Sequence, residues 1–192
     1  MFLDSLYWVW LRHLDLVCMN ILNPINLEKG YIKKMDKIFV KIAEMKTGKA
    51  PSVIITMGLG SCVAVTFYDR KNKTGGLLHF LLPENPTNDS SYFKYGDTGI
   101  KEMIRIFRNN GSRIEDIEAK IVGGSVMFTQ LLKNTDNAVG PRNVKIAKEI
   151  LEKSGIRIVG EDTGGDYGRS VEFYLETGEL KVSSYKTGIK II

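Results

Sequence analysis

The sequence predicts an α+β fold in a single domain, with layered β-sheets and two or three helices packed on one side. Three observations carry this expectation. Nineteen glycines in 192 residues exceed what a helical bundle uses and suit a strand-rich chain with many tight turns. The β-branched apolar runs come in groups, with helical periodicity confined to the middle of the chain; a doubly wound α/β fold would alternate the two. A chain that is 43% hydrophobic and 26% charged is long enough to bury one core.

The elements follow in order. Ile38, Val40 and Ile42 alternate with polar positions and predict an opening strand. Lys46 to Pro51 reads as a turn-rich break. Ser52 to Thr56 and Cys62 to Tyr68 are two apolar strand-like runs separated by Gly58-Leu59-Gly60. A polar loop over Asp69 to Gly75 leads to a strand over Gly76 to Leu82, closed by Pro83. Glu84 to Gly96 is a surface loop. Asp97 is the expected N-cap of a helix whose apolar stripe is Ile100, Met103, Ile104 and Phe107, stopped at Gly111. Ala119 to Val122 is a strand running into Gly123-Gly124. Pro141 suits the first turn of a second helix with Val144, Ala147, Ile150 and Leu151 on one face, ending near Gly155. A strand over Ile156 to Gly160 follows. Val171 to Leu175 and Leu180 to Ser184 form a hairpin turning at Thr177-Gly178. The total is about seven strands.

Residues 1–34 read unlike the rest. Leu6-Tyr7-Trp8-Val9-Trp10-Leu11 is apolar, but it is short for a signal segment and has no basic residues ahead of it. Asp4, Arg12, His13 and Asp15 break any membrane span, so membrane insertion is not expected. An interfacial helix is one reading of this stretch. The simpler expectation is upstream translation with the native start at Met35, because Glu28-Lys29-Gly30 demands a purine-rich coding run resembling a ribosome-binding site. The domain then runs over 35–192, and the intact mass of the natural protein tests it. The net charge of +5 comes without a Lys/Arg cluster interleaved with aromatics, which argues against nucleic-acid binding.

Two cysteines, Cys18 and Cys62, make no disulfide framework, and with His13 and His79 they supply too few ligands for a zinc site. A lone cysteine before Val-Ala-Val is most simply a small core residue, and His79 between Leu78 and Phe80 is most simply structural. Three features argue for chemistry instead. Cys62 follows a Gly-x-Gly turn, which can expose a thiol and aim backbone N–H groups at an oxyanion. His79 falls on the predicted returning strand. Beyond residue 34 the chain holds one cysteine and one histidine, which a nucleophile and its base would account for. These features leave core packing and cysteine catalysis both open.

The stretch containing Thr56, Gly60-Ser61-Cys62-Val63-Ala64-Val65, Gly75-Gly76, His79 and Leu82-Pro83 resembles the chemoreceptor glutamine deamidase family, CheD. Further motifs extend the resemblance over roughly 37–182. They are Tyr95-Gly96-Asp97, Lys120-Ile121-Val122-Gly123-Gly124-Ser125, Gly140 with Arg142-Asn143-Val144, and Asp162-Thr163-Gly164-Gly165 with Arg169. Ser125 stands where alanine is common, and Pro141 where an acidic residue is common.

The resemblance implies a cytoplasmic enzyme that converts receptor glutamines to glutamates with release of ammonia. Cys62 would attack the carboxamide, His79 would move the proton and activate water against the thioester, and Thr56 would orient the dyad. Gly60 and Ser61 would support the oxyanion turn, with the Cys62 N–H as donor. Asp162, Gly164, Gly165 and Arg169 would line the substrate entrance. No cofactor or metal is called for. The implied partners are the helical cytoplasmic region of a chemoreceptor and a CheC-type phosphatase. Two other functions stay open: a different cysteine acyl-transfer enzyme, and a module that acts mainly as a regulator of that phosphatase.

Overall fold

A computed structural model of the chain describes residues 35–87, 90–127 and 137–192. The expectations for residues 1–34 lie outside the described residues. Those described lie in one compact unit, Met35–Ile192. Its strands are β1 (Lys37–Phe39), β2 (Glu44–Lys49), β3 (Val53–Leu59), β4 (Val63–Asp69), β5 (Thr74–Phe80), β6 (Ile117–Gly123), β7 (Arg157–Thr163), β8 (Arg169–Tyr174), β9 (Leu180–Ser184) and β10 (Gly188–Ile191). Its α-helices are α1 (Gly96–Asn109) and α2 (Val139–Lys153). The class is α+β, as expected.

The strands form two five-stranded sheets, ordered β1-β3-β8-β9-β10 and β2-β5-β4-β6-β7. Strict alternation explains the layering. On β4, Val63, Val65 and Phe67 pack with Ile100, Met103, Phe107, Ala147 and Leu151 of the helices. Cys62, Ala64 and Tyr68 turn the other way, toward Ile54, Leu59, Val171 and Phe173 of the first sheet. β4 is therefore buried on both faces along its whole length, which is why its sequence is apolar without alternation. The helices cover one face of the second sheet only.

Both helices end as their glycines predict. Gly111 takes φ +90°, with Ser112 N–H donating to Phe107 C=O at 3.0 Å and Gly111 N–H to Arg108 C=O at 3.0 Å. Gly155 repeats this arrangement at φ +71°, so orphan carbonyls of both last turns are satisfied.

Four expectations are corrected. The described residues hold ten strands, not about seven. The break expected at Lys46 to Pro51 contains most of β2, whose Glu-Met-Lys-Thr-Gly-Lys sequence is polar because the strand lies at an edge and gains its order from pairing with β5. The opening strand stops at Phe39, and the chain turns through Ala43 at φ +61°. The N-cap of α1 is Tyr95, not Asp97. Asp97 sits in the first turn, where its carboxylate accepts from Asn85 N–H at 3.1 Å and Thr98 N–H at 2.7 Å.

Candidate active site

The chain leaves the first sheet at the end of β3 and joins the second at β4, and the crossing segment is Gly60-Ser61-Cys62. Gly58 takes φ +75° where the β3–β8 register shifts between Thr56 and Leu59, which bends the strand end toward the other sheet. Cys62 follows, one residue before β4. β4 and β5 are antiparallel neighbours with Ala64 opposite His79, so Cys62, two residues earlier on the same face, is the diagonal neighbour of His79. Thr56 faces them from the first sheet. The three residues singled out from the sequence are thus drawn together from two sheets and the turn that joins them.

The hydrogen bonds fix the state of the imidazole. The Thr56 hydroxyl lies 2.8 Å from Val40 C=O, which can only accept. Its single proton is therefore committed, and Thr56 Oγ1, 2.8 Å from His79 Nδ1, must accept from Nδ1–H. The neutral ring then carries its lone pair on Nε2. Among the described residues Nε2 is buried and has no hydrogen-bond partner, the Cys62 thiol included. A buried ring nitrogen without a hydrogen-bond partner is unfavourable for stability, and a role in chemistry is one reason for such a group to be kept.

Both groups rest neutral. Burial pushes the Cys62 thiol up, against the smaller downward pull of its own backbone N–H. Burial lowers His79 to about 4. At neutral pH the two side chains are therefore a thiol and a neutral imidazole.

The turn is held by its carbonyls. Gly60 C=O accepts from Ser125 N–H, and Cys62 C=O from Gly124 N–H, each at 2.8 Å. Ser61 C=O accepts from the Asn143 side chain at 2.9 Å. Neither the Ser61 nor the Cys62 N–H donates to a carbonyl among the described residues, so donors are available beside the sulfur.

Asp162, Gly164, Gly165 and Arg169 form a network next to that turn. Arg169 and Asp162 are buried and paired at 3.2 Å, with Lys190 also on Asp162 at 3.0 Å. Burial would raise the Asp162 carboxyl, but the bonds from Arg169 and Lys190 outweigh it and hold it below its ordinary range. Arg169 Nη1 donates to Ser125 Oγ at 2.7 Å, and its guanidinium stacks 4.1 Å from the Tyr167 ring centroid. Gly164 N–H donates to Gly123 C=O and Val126 N–H to Gly165 C=O, which ties the two glycine loops together. Ser125, noted in the sequence only as a departure from alanine, is the hub: its N–H holds Gly60 and its hydroxyl is the acceptor for Arg169.

Sequence reasoning placed Asn143 within the Arg142-Asn143-Val144 motif but gave it no role in the site. It lies four residues before Ala147 on the buried stripe of α2, so a polar residue heading an apolar stripe was the available signal.

A family model described as CheD chemotactic sensory transduction matches residues 81–184, a segment that begins after Thr56, Cys62 and His79. Relatives extend the match across those residues. The protein named "Probable chemoreceptor glutamine deamidase CheD" of Caldanaerobacter subterraneus subsp. tengcongensis is 42% identical over 155 residues, covering 80% of this chain and 96% of that protein. "Chemoreceptor glutamine deamidase CheD" of Thermotoga maritima is 41% identical over 146 residues, covering 76% and 90%. A solved structure titled Bacillus licheniformis hypothetical protein YfiH superposes with a TM-score of 0.43 at 18% identity over 64% of this chain and 51% of that one, a likeness too loose to argue from. The relatives match nearly their full length at about 40% identity, and on that ground the chain belongs to the CheD family.

Proposed function

We propose that this chain is a chemoreceptor glutamine deamidase with Cys62 as nucleophile, His79 as general base and acid, and Thr56 as the residue that sets the imidazole tautomer. The observation that carries the reading is the Val40–Thr56–His79 chain, which leaves an unprotonated Nε2 on the strand beside Cys62. As the Cys62 sulfur bonds to the glutamine side-chain carbon, its proton passes to Nε2. The carbonyl oxygen gains charge beside the Cys62 N–H. His79 returns the proton to nitrogen, ammonia leaves, and a thioester remains. Water adds to the thioester with its proton going to Nε2, and the thiol departs to leave glutamate. The chemistry calls for no metal or cofactor.

The substrate is a protein side chain, which requires a surface around the sulfur. Phe39, Ile42 and Met57 are exposed large apolar residues flanking Val40 and Thr56 in sequence. They suit the apolar stripe of a receptor helix. The Gly164-Gly165 loop is assigned to the rim of the entrance, and buried Asp162 and Arg169 act from beneath it. Among the described residues no helix is long and apolar enough to cross a membrane, and the reaction is assigned to the cytoplasm, where the receptor's helical region lies. A CheC-type phosphatase is a second proposed partner, on family membership.

Tandem mass spectrometry of a receptor cytoplasmic fragment incubated with the full chain or with Cys62→Ala tests the reading. Defined glutamines should become glutamates with the unsubstituted chain alone. Equal conversion by both proteins would remove Cys62 as nucleophile. No conversion by either, with tight binding to the phosphatase, would favour a regulatory role. Ammonia release without chain cleavage or amine incorporation separates deamidation from other cysteine acyl transfers.

A further inference from the structure

We infer that Asn143 is a positioning residue of this site, one that fixes the Ser61–Cys62 peptide so that the Cys62 N–H faces the oxygen of the reacting carboxamide. The inference rests on the deamidase reading. Asn143 is fully buried in the first half of α2. Its Nδ2 donates to two main-chain carbonyls, Ser61 C=O at 2.9 Å and Leu81 C=O at 2.9 Å. Both partners can only accept, so the amide orientation is settled by chemistry, and both Nδ2 hydrogens are used.

The two acceptors are not arbitrary positions. Ser61 immediately precedes the nucleophile, and Leu81 is two residues beyond His79. One side chain therefore couples the turn carrying the sulfur to the end of the strand carrying the base. In a planar trans peptide the C=O and the following N–H point in opposite directions. Holding Ser61 C=O toward α2 turns the Cys62 N–H away from α2. The next peptide is pinned the same way, since Cys62 C=O accepts from Gly124 N–H at 2.8 Å. The peptides on both sides of Cys62 are thus set through their carbonyls, and the Cys62 N–H is left for an oxygen that arrives with substrate.

Packing alone does not account for an asparagine here. The position continues the stripe of Ala147, Ile150 and Leu151. Asn143 Oδ1 is buried without a hydrogen-bond partner among the described residues. An apolar residue would avoid that unpaired acceptor, so the amide is explained by what Nδ2 holds.

The test compares the full chain with Asn143→Ala and Asn143→Asp in two assays, after thermal melts identify the variants that fold. One assay is steady-state ammonia release from a receptor cytoplasmic fragment. The other is the rate of alkylation at Cys62 by iodoacetamide, followed by peptide mass spectrometry. Alkylation displaces iodide from carbon and develops no oxyanion, so it reports thiol access and proton removal without the Cys62 N–H. The expected result for Asn143→Ala is a fall in kcat on the order of 10²-fold, the loss typical of a displaced oxyanion donor. KM and the alkylation rate should stay within about threefold, a change too small to come from loss of such a donor. If Asn143→Ala does not fold, Asn143→Asp is read alone: it has the same size but at most one donor, and the same split is expected. Unchanged kcat in a folded variant, or equal losses in kcat and alkylation, would overturn the assignment alone. An unsubstituted chain that releases no ammonia would overturn the deamidase reading and this assignment with it.

Discussion

At the scale of single residues, the site depends on one proton whose position is forced. Thr56 donates to Val40 C=O and accepts from His79 Nδ1–H, so Thr56→Val removes the acceptor that selects the reactive tautomer. kcat should fall on the order of 10²-fold, within the range for loss of general-base function. Thr56→Ser, which keeps the hydroxyl, should retain most of the activity. The two variants are separated by steady-state ammonia release. Burial of His79, which lowers it to about 4, also has consequences with pH. The imidazole is neutral above that value, so with His79 as the proposed base the acid limb of kcat/KM should fall near pH 4 and not near the ordinary histidine value of 6.5. For stability the sign follows from proton uptake: the unfolded chain binds a proton near pH 6.5, and the folded chain does so only near 4. The contribution is fully present above 6.5 and is lost as pH falls toward 4, reaching roughly 3 kcal/mol. Urea titrations between pH 7 and 4 should show a shallower loss for His79→Asn than for the unsubstituted chain. Parallel curves would contradict the burial argument.

At the scale of elements, α2 is the part most closely tied to the turn that carries Cys62. Its first turn presses on the strand-end glycines: a Cβ at Gly140 would lie 2.5 Å from both Gly124 C=O and Ser125 C=O. These are backbone atoms of the two residues whose N–H groups hold Cys62 and Gly60. Gly140→Ala should therefore push α2 off the sheet, destabilise the fold by about 1–3 kcal/mol as an overpacked contact, and lower activity beyond the loss of folded protein. Chemical denaturation gives the first quantity, and activity per folded molecule gives the second. The helices were legible in the sequence because their periodicity and terminal glycines are local signals. β2 and β10 were not: both are edge strands, β2 ordered by a partner some thirty residues on and β10 a four-residue strand exposed throughout, with no buried face to mark it. A polar, six-residue β2 carries no alternation to read.

At the scale of the whole molecule, the site sits where the inter-sheet core meets the chain crossing between sheets, and a buried ion pair closes that end. Arg169 and Asp162 are both shielded from water, with side chains 1% and 6% exposed. Arg169→Leu leaves Asp162 with Lys190 alone, and destabilisation of about 3–5 kcal/mol is expected. Combining it with Asp162→Asn should recover part of the loss, because the buried carboxylate that Lys190 alone would have to balance no longer carries charge. Denaturant midpoints for the two single variants and the double variant measure the coupling. Additive losses would mean that the pair does not act as a unit.

Residue order by itself determined the α+β class and singled out Cys62, His79 and Thr56 as the residues to which the proposed chemistry is assigned. Those rest on local information: a glycine turn before a cysteine, a histidine on the returning strand, apolar periodicity, and motifs matching one family in order. Only the tertiary structure decided how these residues meet. Which ring nitrogen of His79 holds the proton depends on Val40 and Thr56, from the segment after β1 and from β3, and the spacing of Cys62 and His79 cannot report it. The work of Asn143 and Ser125 was hidden for the same reason, since each acts on a main-chain carbonyl more than sixty residues away. A carbonyl has no residue identity, so a sequence shows the donor side chain without showing what it holds.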